Sequence, residues 1–453
     1  MDRGDGAARR RRAAETGGAG VAFTLTAAPR TQKGASPTRL LFLNRSFWPD
    51  LEATGQFLTE LCEDLSAEHE ITFIAGPSYH VRTQGRGLIR HEKLGRVSIT
   101  RTWGTRLPKR WLPARLLNLG TYYALAGVAA MCSKRPDIVI AETDPPLLGV
   151  LGALLKWRWN CRLVYNVRDL YPDIAIANGA LKNRFLLGLL ERANRLSYRS
   201  ADCIIVLGED MRQRLLAKGV APEKLALVPD WVDCESIRPM TSSRFRSQFG
   251  QSFVVMYSGN LGLSQQLETV LDAAALLRDE SAIRFALVGE GARKQWLVDR
   301  ARQLGLRNVD FLPYRPREEL AESLSAGDLH LVPLFPGAAG CVVPSKIYGI
   351  LAAGRPFVAI MEDSAEIARL ARENSVGFVV QPGDADGLAR TIRQAAAEPA
   401  ELAAMGVRAR QLAEQRFDRN IATRKFAEVL SSLMNGELPP RAQPHFSAST
   451  GSL

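Results

Sequence analysis

The sequence predicts an α/β protein built from two doubly wound, Rossmann-like halves. Three observations carry this reading. From Arg39 onward, short β-branched runs alternate with segments of helical period, as parallel strands joined by crossover helices do. The alternation stops at residues 233–252, where Pro239, Thr241, Ser242, Ser243 and Gly250 mark a connector, and then begins again. A length of 453 residues suits two or three domains with real cores.

Taken in order, residues 1–36 are rich in Gly, Ala and Arg, lack apolar periodicity, and read as a disordered basic extension. A secretory signal fits them poorly, because Thr24 and Thr26 interrupt the apolar stretch. The first half, residues 37–234, has strand-like runs at 40–44, 71–75, 137–141, 163–167, 203–207 and 225–228. The second, residues 235–436, has runs at 253–257, 283–288, 309–312, 329–334, 357–360 and 377–380. Helical segments at 401–415 and 420–433 close the fold, and residues 437–453 form a polar, disordered tail.

Composition is that of a soluble globular chain, 46% hydrophobic and 23% charged, which argues against global disorder and against a membrane bundle. The apolar stretch 145–155 is broken by Lys156 and Arg158 well short of the roughly 18 residues a membrane span needs. Six scattered cysteines without a C-x-x-C pair read as reduced packing residues, not a disulfide frame or zinc site. The net charge is +12 and unevenly placed. Between Arg82 and Arg115 ten basic residues face one acid, Glu92, and aromatic and leucine side chains interleave with them. That mixture suits an anionic membrane surface, with Arg101, Trp103, Arg106, Lys109, Arg110, Trp111 and Arg115 as the contact patch. Nucleic acid is the rival partner, but no nucleic-acid motif accompanies the patch.

Parallel sheets bind ligands beyond the carboxyl ends of their strands, so the turns after each run are the places to look for chemistry. After the first run, Thr54-Gly55 opens a helix and leaves backbone N–H groups for an anion, unless Thr54 is simply an N-cap. Arg168-Asp169 puts a cation and a carboxylate at a strand end, where Asp169 could orient or deprotonate a hydroxyl; the alternative is an ion pair between Arg168 and Asp173. In the second half Ser258-Gly259-Asn260 is a glycine turn that lets N–H groups approach a phosphate. Gly289-Glu290-Gly291 repeats it one unit later. Pro344-Ser345-Lys346 opens a helix with a cation, which is locally unfavourable unless an anion binds. Neither a G-x-G-x-x-G nor a G-x-x-x-x-G-K motif occurs in these turns, which weakens a dinucleotide oxidoreductase or NTPase reading.

Read together, the strings Phe47-Trp48-Pro49-Asp50, Ala53-Thr54-Gly55-Gln56, Thr143-Asp144-Pro145-Pro146-Leu147, Val167-Arg168-Asp169-Leu170-Tyr171-Pro172, Tyr257-Ser258-Gly259-Asn260-Leu261-Gly262 and Val343-Pro344-Ser345-Lys346-Ile347-Tyr348-Gly349 resemble the retaining bacterial glycosyltransferases of family 4. The likeness runs from about Arg39 to Leu433 and is to the branch that builds exopolysaccharide, colanic-acid-type and O-antigen repeat units. It implies a GT-B fold, with an acceptor domain first and a nucleotide-diphosphate-sugar domain second, and chemistry in the cleft without cofactor or obligatory metal. It implies a polyprenyl-diphosphate-linked saccharide as acceptor, and a cytoplasmic protein held peripherally on the inner face of the membrane. It assigns Gly55 to the loop near the donor, Arg168 and Asp169 to the reacting centre, Asn260 to the phosphate turn, Ser345 and Lys346 to the diphosphate, and residues 311–315, with Tyr314 and Arg315, to the edge that receives the base. Two positions depart from the family pattern. Cys341 and Gly349 stand where many relatives carry a Glu pair, the second of which holds the ribose; Glu362 and Glu366 are the nearby carboxylates. Gln265 or Gln266 stands where many have a phosphate-binding lysine. The rival functional readings are a GT-B nucleotide-sugar epimerase and a non-catalytic scaffold in a polysaccharide assembly complex.

Overall fold

A computed structural model describes residues 37–50, 52–78, 87–105, 107, 112–262 and 265–438, without the side chains of Leu112 and Arg115. The expected N-terminal extension and nearly all of the expected tail lie outside the described residues. The first half runs β1 (Arg39–Leu43), α1 (Ala53–Leu65), β2 (Glu70–Ala75), β3 (Ile89–Leu94), β4 (Val97–Thr102), α2 (Leu112–Cys132), β5 (Ile138–Ala141), α3 (Leu148–Trp159), β6 (Arg162–Val167), α4 (Asp173–Ala177), α5 (Arg184–Ser200), β7 (Cys203–Val206), α6 (Glu209–Ala217) and β8 (Leu225–Leu227). The second runs β9 (Phe253–Ser258), α7 (Glu268–Leu276), β10 (Ile283–Val288), α8 (Lys294–Gln303), β11 (Val309–Leu312), α9 (Leu320–Ser325), β12 (Leu329–Pro333), α10 (Lys346–Ala352), β13 (Phe357–Ile360), α11 (Glu366–Glu373), β14 (Gly377–Val380), α12 (Ala385–Ala397), α13 (Pro399–Leu412) and α14 (Arg419–Met434).

Each half is a twisted sheet between helical layers. The first has strand order β3-β4-β2-β1-β5-β6-β7-β8, parallel except for the β3–β4 hairpin. The second has order β11-β10-β9-β12-β13-β14, parallel in every pairing. The central strands are nearly continuous apolar runs because both of their faces are covered. Strand order reverses between β1 and β5 in one sheet and between β9 and β12 in the other, and the loops flanking such a reversal are where a ligand fits.

Three features differ from the sequence reading. The β3–β4 hairpin lies inside the basic stretch, where Val97 and Ile99 point inward and Gly95, at φ 53°, makes the turn. Arg101, expected on a membrane surface, is fully buried on β4. Its Nε donates to both Glu92 oxygens (3.1 and 2.9 Å), Nη1 to the Gly76 carbonyl (3.3 Å) and Nη2 to that of Trp48 (2.6 Å), so it ties the hairpin to the loop after β1. Within the same expected patch Trp103 is exposed, Arg106, Lys109, Arg110 and Trp111 lie outside the described residues, and Arg115 falls on α2. Finally, α14, which sequence order gives to the second half, crosses back. Its Phe426, Val429 and Leu430 are buried with Phe42, Leu61 and Phe73 of the first half, and Arg419 clamps Asp64 of α1 at 2.6 and 2.9 Å.

The six cysteines are free thiols, five of them buried and Cys132 exposed. Among the described residues no helix is long and apolar enough to cross a membrane.

Candidate active site

The two halves meet edge to edge at the carboxyl ends of β6 and β12. Asp169 pairs antiparallel with Val342, and the Leu170 N–H donates to the Cys341 carbonyl at 2.7 Å. The Asp210 carboxylate, at the start of α6, accepts the Gly340 and Glu366 N–H groups at 3.0 and 2.9 Å. Arg214 donates to the carbonyls of Ala339 and Gly337. This joint brings Arg168-Asp169 to within four residues of chain from Lys346, which sequence alone could only infer through resemblance.

On the first half, strands β5, β6 and β8 end in a buried polar cluster. Thr143 Oγ1 accepts from the N–H groups of Arg168 (3.2 Å) and Asp169 (3.1 Å), fixing the β6 end. The Arg168 guanidinium is buried, pairs with Asp230 at 2.5 Å and lies 5.1 Å over the Phe57 ring. Its partner is therefore Asp230 and not Asp173, which instead meets Lys218 at 3.0 Å. Glu142 is fully buried and accepts both contacts of the Asn166 amide at 2.9 and 3.0 Å; burial pushes its carboxyl up to about 7, against the pull of Arg168. Asp169 is only half-buried as a residue, and desolvation raises its carboxyl to about 6, with Arg168 opposing and Asp144 and Asp230 adding to the rise. A carboxyl poised there can take a proton near neutral pH.

Gly55 sits in the first turn of α1, which begins at Ala53 with Glu52 as N-cap, so Thr54 is not the cap. A Cβ at Gly55 would lie 2.8 Å from Ser46 Oγ and 3.4 Å from the Phe47 nitrogen, so the loop after β1 closes tightly on the helix start.

On the second half, Lys346 opens α10, and its Nζ lies 3.7 Å from the centre of the Tyr257 ring. That nitrogen is buried and has no hydrogen-bond partner, and burial lowers its pKa to about 7. It reaches the β9 turn, since a Cβ at Gly259 would stand 2.9 Å from it. The turn is braced from below. Gly259 N–H donates to Val288, Leu261 N–H to Glu290, and the Tyr257 hydroxyl to the Asn260 carbonyl. Gly289 and Gly291 serve the turn by closeness, because Cβ atoms there would come within 1.9 Å of the Gly259 oxygen and 2.4 Å of the Leu261 oxygen. Ser258 and Gly259 are half-buried and Asn260 is exposed at the turn. Ser345 precedes Lys346 as N-cap without a side-chain cap bond, and Pro344 precedes it in turn.

Tyr314 follows β11, is half exposed, and interacts with Tyr257 and Glu290, which brings it to the same rim. Arg315 is turned away, with its guanidinium 4.2 Å over the Phe245 ring of the connector. The two family positions that lack Glu have structural reasons. Cys341 is buried in the core of the first half, so its side chain does not face the cleft, and Gly349 packs against Leu324, where a Cβ would come within 3.3 Å. Glu366 is held in the joint by the Glu209 N–H and Arg369, and Glu362 accepts the Gly337 N–H at 3.2 Å, so both carboxylates brace the loop. Glu142 and Asp230 were not legible as site residues; a lone carboxylate just after an apolar run is the one signal they leave.

Residues 52–231 match the family model described as "Glycosyl transferase 4-like domain", and residues 240–412 match "Glycosyl transferases group 1". WcaI of Escherichia coli K12, assigned as a colanic acid biosynthesis glycosyl transferase, is 30% identical over 406 residues, which cover 86% of this chain and 98% of WcaI. The chain belongs to the GT-B glycosyltransferases of family 4. WbjE of Pseudomonas aeruginosa, described as a probable glycosyltransferase, is 32% identical over 312 residues, 67% of this chain and 76% of WbjE. The fold is shared with Anabaena HepE in complex with UDP (TM-score 0.66, 20% identity, 87% of this chain and all of HepE). It is shared also with a sucrose-phosphate synthase of Thermosynechococcus elongatus (TM-score 0.69, 16% identity, 88% of this chain and all of that one). In this glycosyltransferase the joint lies between a first half carrying Asp169 and a second half carrying the Lys346 turn.

Proposed function

We propose that this glycosyltransferase moves a hexose or related sugar, with retention, from a nucleotide-diphosphate sugar to a polyprenyl-diphosphate-linked saccharide in bacterial surface polysaccharide synthesis. The observation that carries the donor reading is the Lys346 amine, buried without a partner against the Gly259 turn. An uncompensated buried cation at a helix start is unfavourable on two counts, desolvation and the helix dipole, and both are relieved when a diphosphate arrives. The leaving diphosphate would meet Lys346 and the turn around Ser258 and Asn260, while Asp169, held at the same joint through Val342, orients and deprotonates the acceptor hydroxyl. Tyr314 borders the space for the base. No metal is invoked, since Lys346 supplies the charge that an ion would otherwise supply.

The names of the relatives support the polysaccharide setting, and a solved neighbour binds UDP. The proposal extends that setting to a lipid-linked acceptor and to a protein in the cytoplasm, peripheral on the inner face of the membrane. The test is transfer of labelled sugar from nucleotide sugars to lipid-linked acceptor, with and without a chelator, and NMR of the anomeric centre in the product. Turnover in chelator with the donor's anomeric configuration supports the reading. Turnover of donor alone into an epimer, or polysaccharide output unchanged by Lys346→Ala and Asp169→Ala, contradicts it.

A further inference from the structure

Helix α5 is arranged the opposite way from an ordinary surface helix. Its buried residues are Asn194, Ser197 and Tyr198, and all of them lie in its second half. Its outward stripe, at helical spacing, is Phe185, Leu189, Arg192, Leu196 and Arg199, with Phe185 83%, Leu189 53% and Leu196 50% exposed. The Asn194 amide donates to the Tyr171 carbonyl in the loop after β6, and Gly149 of α3 closes on Ser197. The first ten residues of α5, a length of about 15 Å, have no fully buried side chain among them. Burial on α5 begins at Asn194, whose partner Tyr171 lies two residues past Asp169.

Leu187, Leu190 and Ala193 of that half are partly covered, but Phe185, Leu186 and Leu189 stand out to solvent, and a helix covered on so little of its surface is marginal in water. Charge narrows the choice of partner. Arg158, Arg184, Arg192, Arg195 and Arg199 are exposed and form no ion pair with a described residue; Glu191 is the one acid on α5. On the adjoining α3, Trp157 is 81% exposed beside Arg158. Apolar side chains interleaved with arginines and flanked by an exposed tryptophan match a leaflet of anionic lipid, with the rings and leucines below the headgroups and guanidinium groups on phosphates.

We infer that the outward face of α5, with Trp157 of α3, docks the protein on an anionic membrane surface. Asn194 of the same helix bonds the loop two residues past Asp169, so docking through α5 brings a lipid-borne acceptor towards the reacting carboxylate. This inference rests on the membrane-linked acceptor proposed above, and it replaces the buried Arg101 as part of the contact surface.

The experiment is flotation of the full-length protein with vesicles of phosphatidylcholine alone or with about 30 mol% phosphatidylglycerol, at low and high salt. Two variants are compared with the parent: Phe185→Ser with Leu189→Ser, and Arg192→Glu with Arg195→Glu and Arg199→Glu. Both change exposed side chains, and an unchanged melting temperature verifies folding. The parent is expected to float with anionic vesicles and to come off in salt, and the arginine variant to partition on the order of a hundredfold less. Each variant should keep the stabilisation that nucleoside diphosphates give the parent. Loss of vesicle binding in the variants, when the parent shows no nucleotide effect, would leave the membrane face standing and sink the donor reading. Equal flotation of parent and variants overturns the inference, as does binding lost only on substituting Arg106, Lys109 and Arg110. A parent dimer that both variants split into monomers would assign the face to a second copy of the chain.

Discussion

The Lys346 ammonium rests 3.7 Å from the centre of the Tyr257 ring, buried and without a hydrogen-bond partner. The ring offers a cation–π contact, which offsets only part of the desolvation of a buried amine. An anion beside the amine would relieve the rest of that cost.

Lys346→Met should therefore separate binding from stability. Removal of the amine is expected to leave the melting temperature of the free protein unchanged or higher, while kcat/KM falls about 100- to 1000-fold, the loss typical of one charge-stabilising donor. Calorimetry and steady-state kinetics on the same preparation check both. Lys346→Arg should not rescue turnover, because a planar fork does not occupy the place of a point charge.

The pH dependence has a defined sign. Lys346 titrates near 7 in the folded protein and near 10.5 when unfolded, so between these values the unfolded chain binds more protons. Its contribution to the stability of the free protein then rises with pH across that window and is least favourable below 7. Nucleoside diphosphate favours the charged amine, so binding at pH 8 should take up protons. Titration calorimetry in buffers of different ionisation enthalpy measures that uptake, and Lys346→Met should abolish it.

Asp169, with a carboxyl at about 6, must be ionised to accept a proton, so kcat/KM should climb as pH rises through that value. Asp169→Asn is expected to lower kcat by about 100- to 10,000-fold and to remove this acid limb, with donor binding retained.

Arg168 and Asp230 are both buried, and removal of one partner strands the other. Arg168→Ala should cost about 3–5 kcal/mol of stability by chemical denaturation, and adding Asp230→Asn should recover part of it.

Much of the fold was legible because a strand covered on both faces must be an apolar run, and all twelve expected runs begin within a residue of an observed strand. The β3–β4 hairpin was not seen because its basic residues obscured the inward alternation of Val97 and Ile99. Arg101 was misplaced for a related reason: charge suggests a surface, and only the folded hairpin reveals Glu92 and two carbonyls around it. At the site, Lys346 and the Gly259 turn were readable as local motifs. Glu142, Asp230 and the return of α14 depend on contacts between distant segments, which leave no local trace. The outward stripe of α5 was overlooked because its leucines have the composition of a core helix, and their exposure is a tertiary fact.

The most direct test is a thermal-shift titration of the parent and Lys346→Met with UDP, GDP, dTDP and CMP and their sugar conjugates. One nucleoside diphosphate, at about 100 times its Kd, should stabilise the parent by about 2.7 kcal/mol and leave the variant unmoved. A folded parent that no nucleotide stabilises, or a variant that responds as the parent does, would contradict the assignment of the donor diphosphate to Lys346.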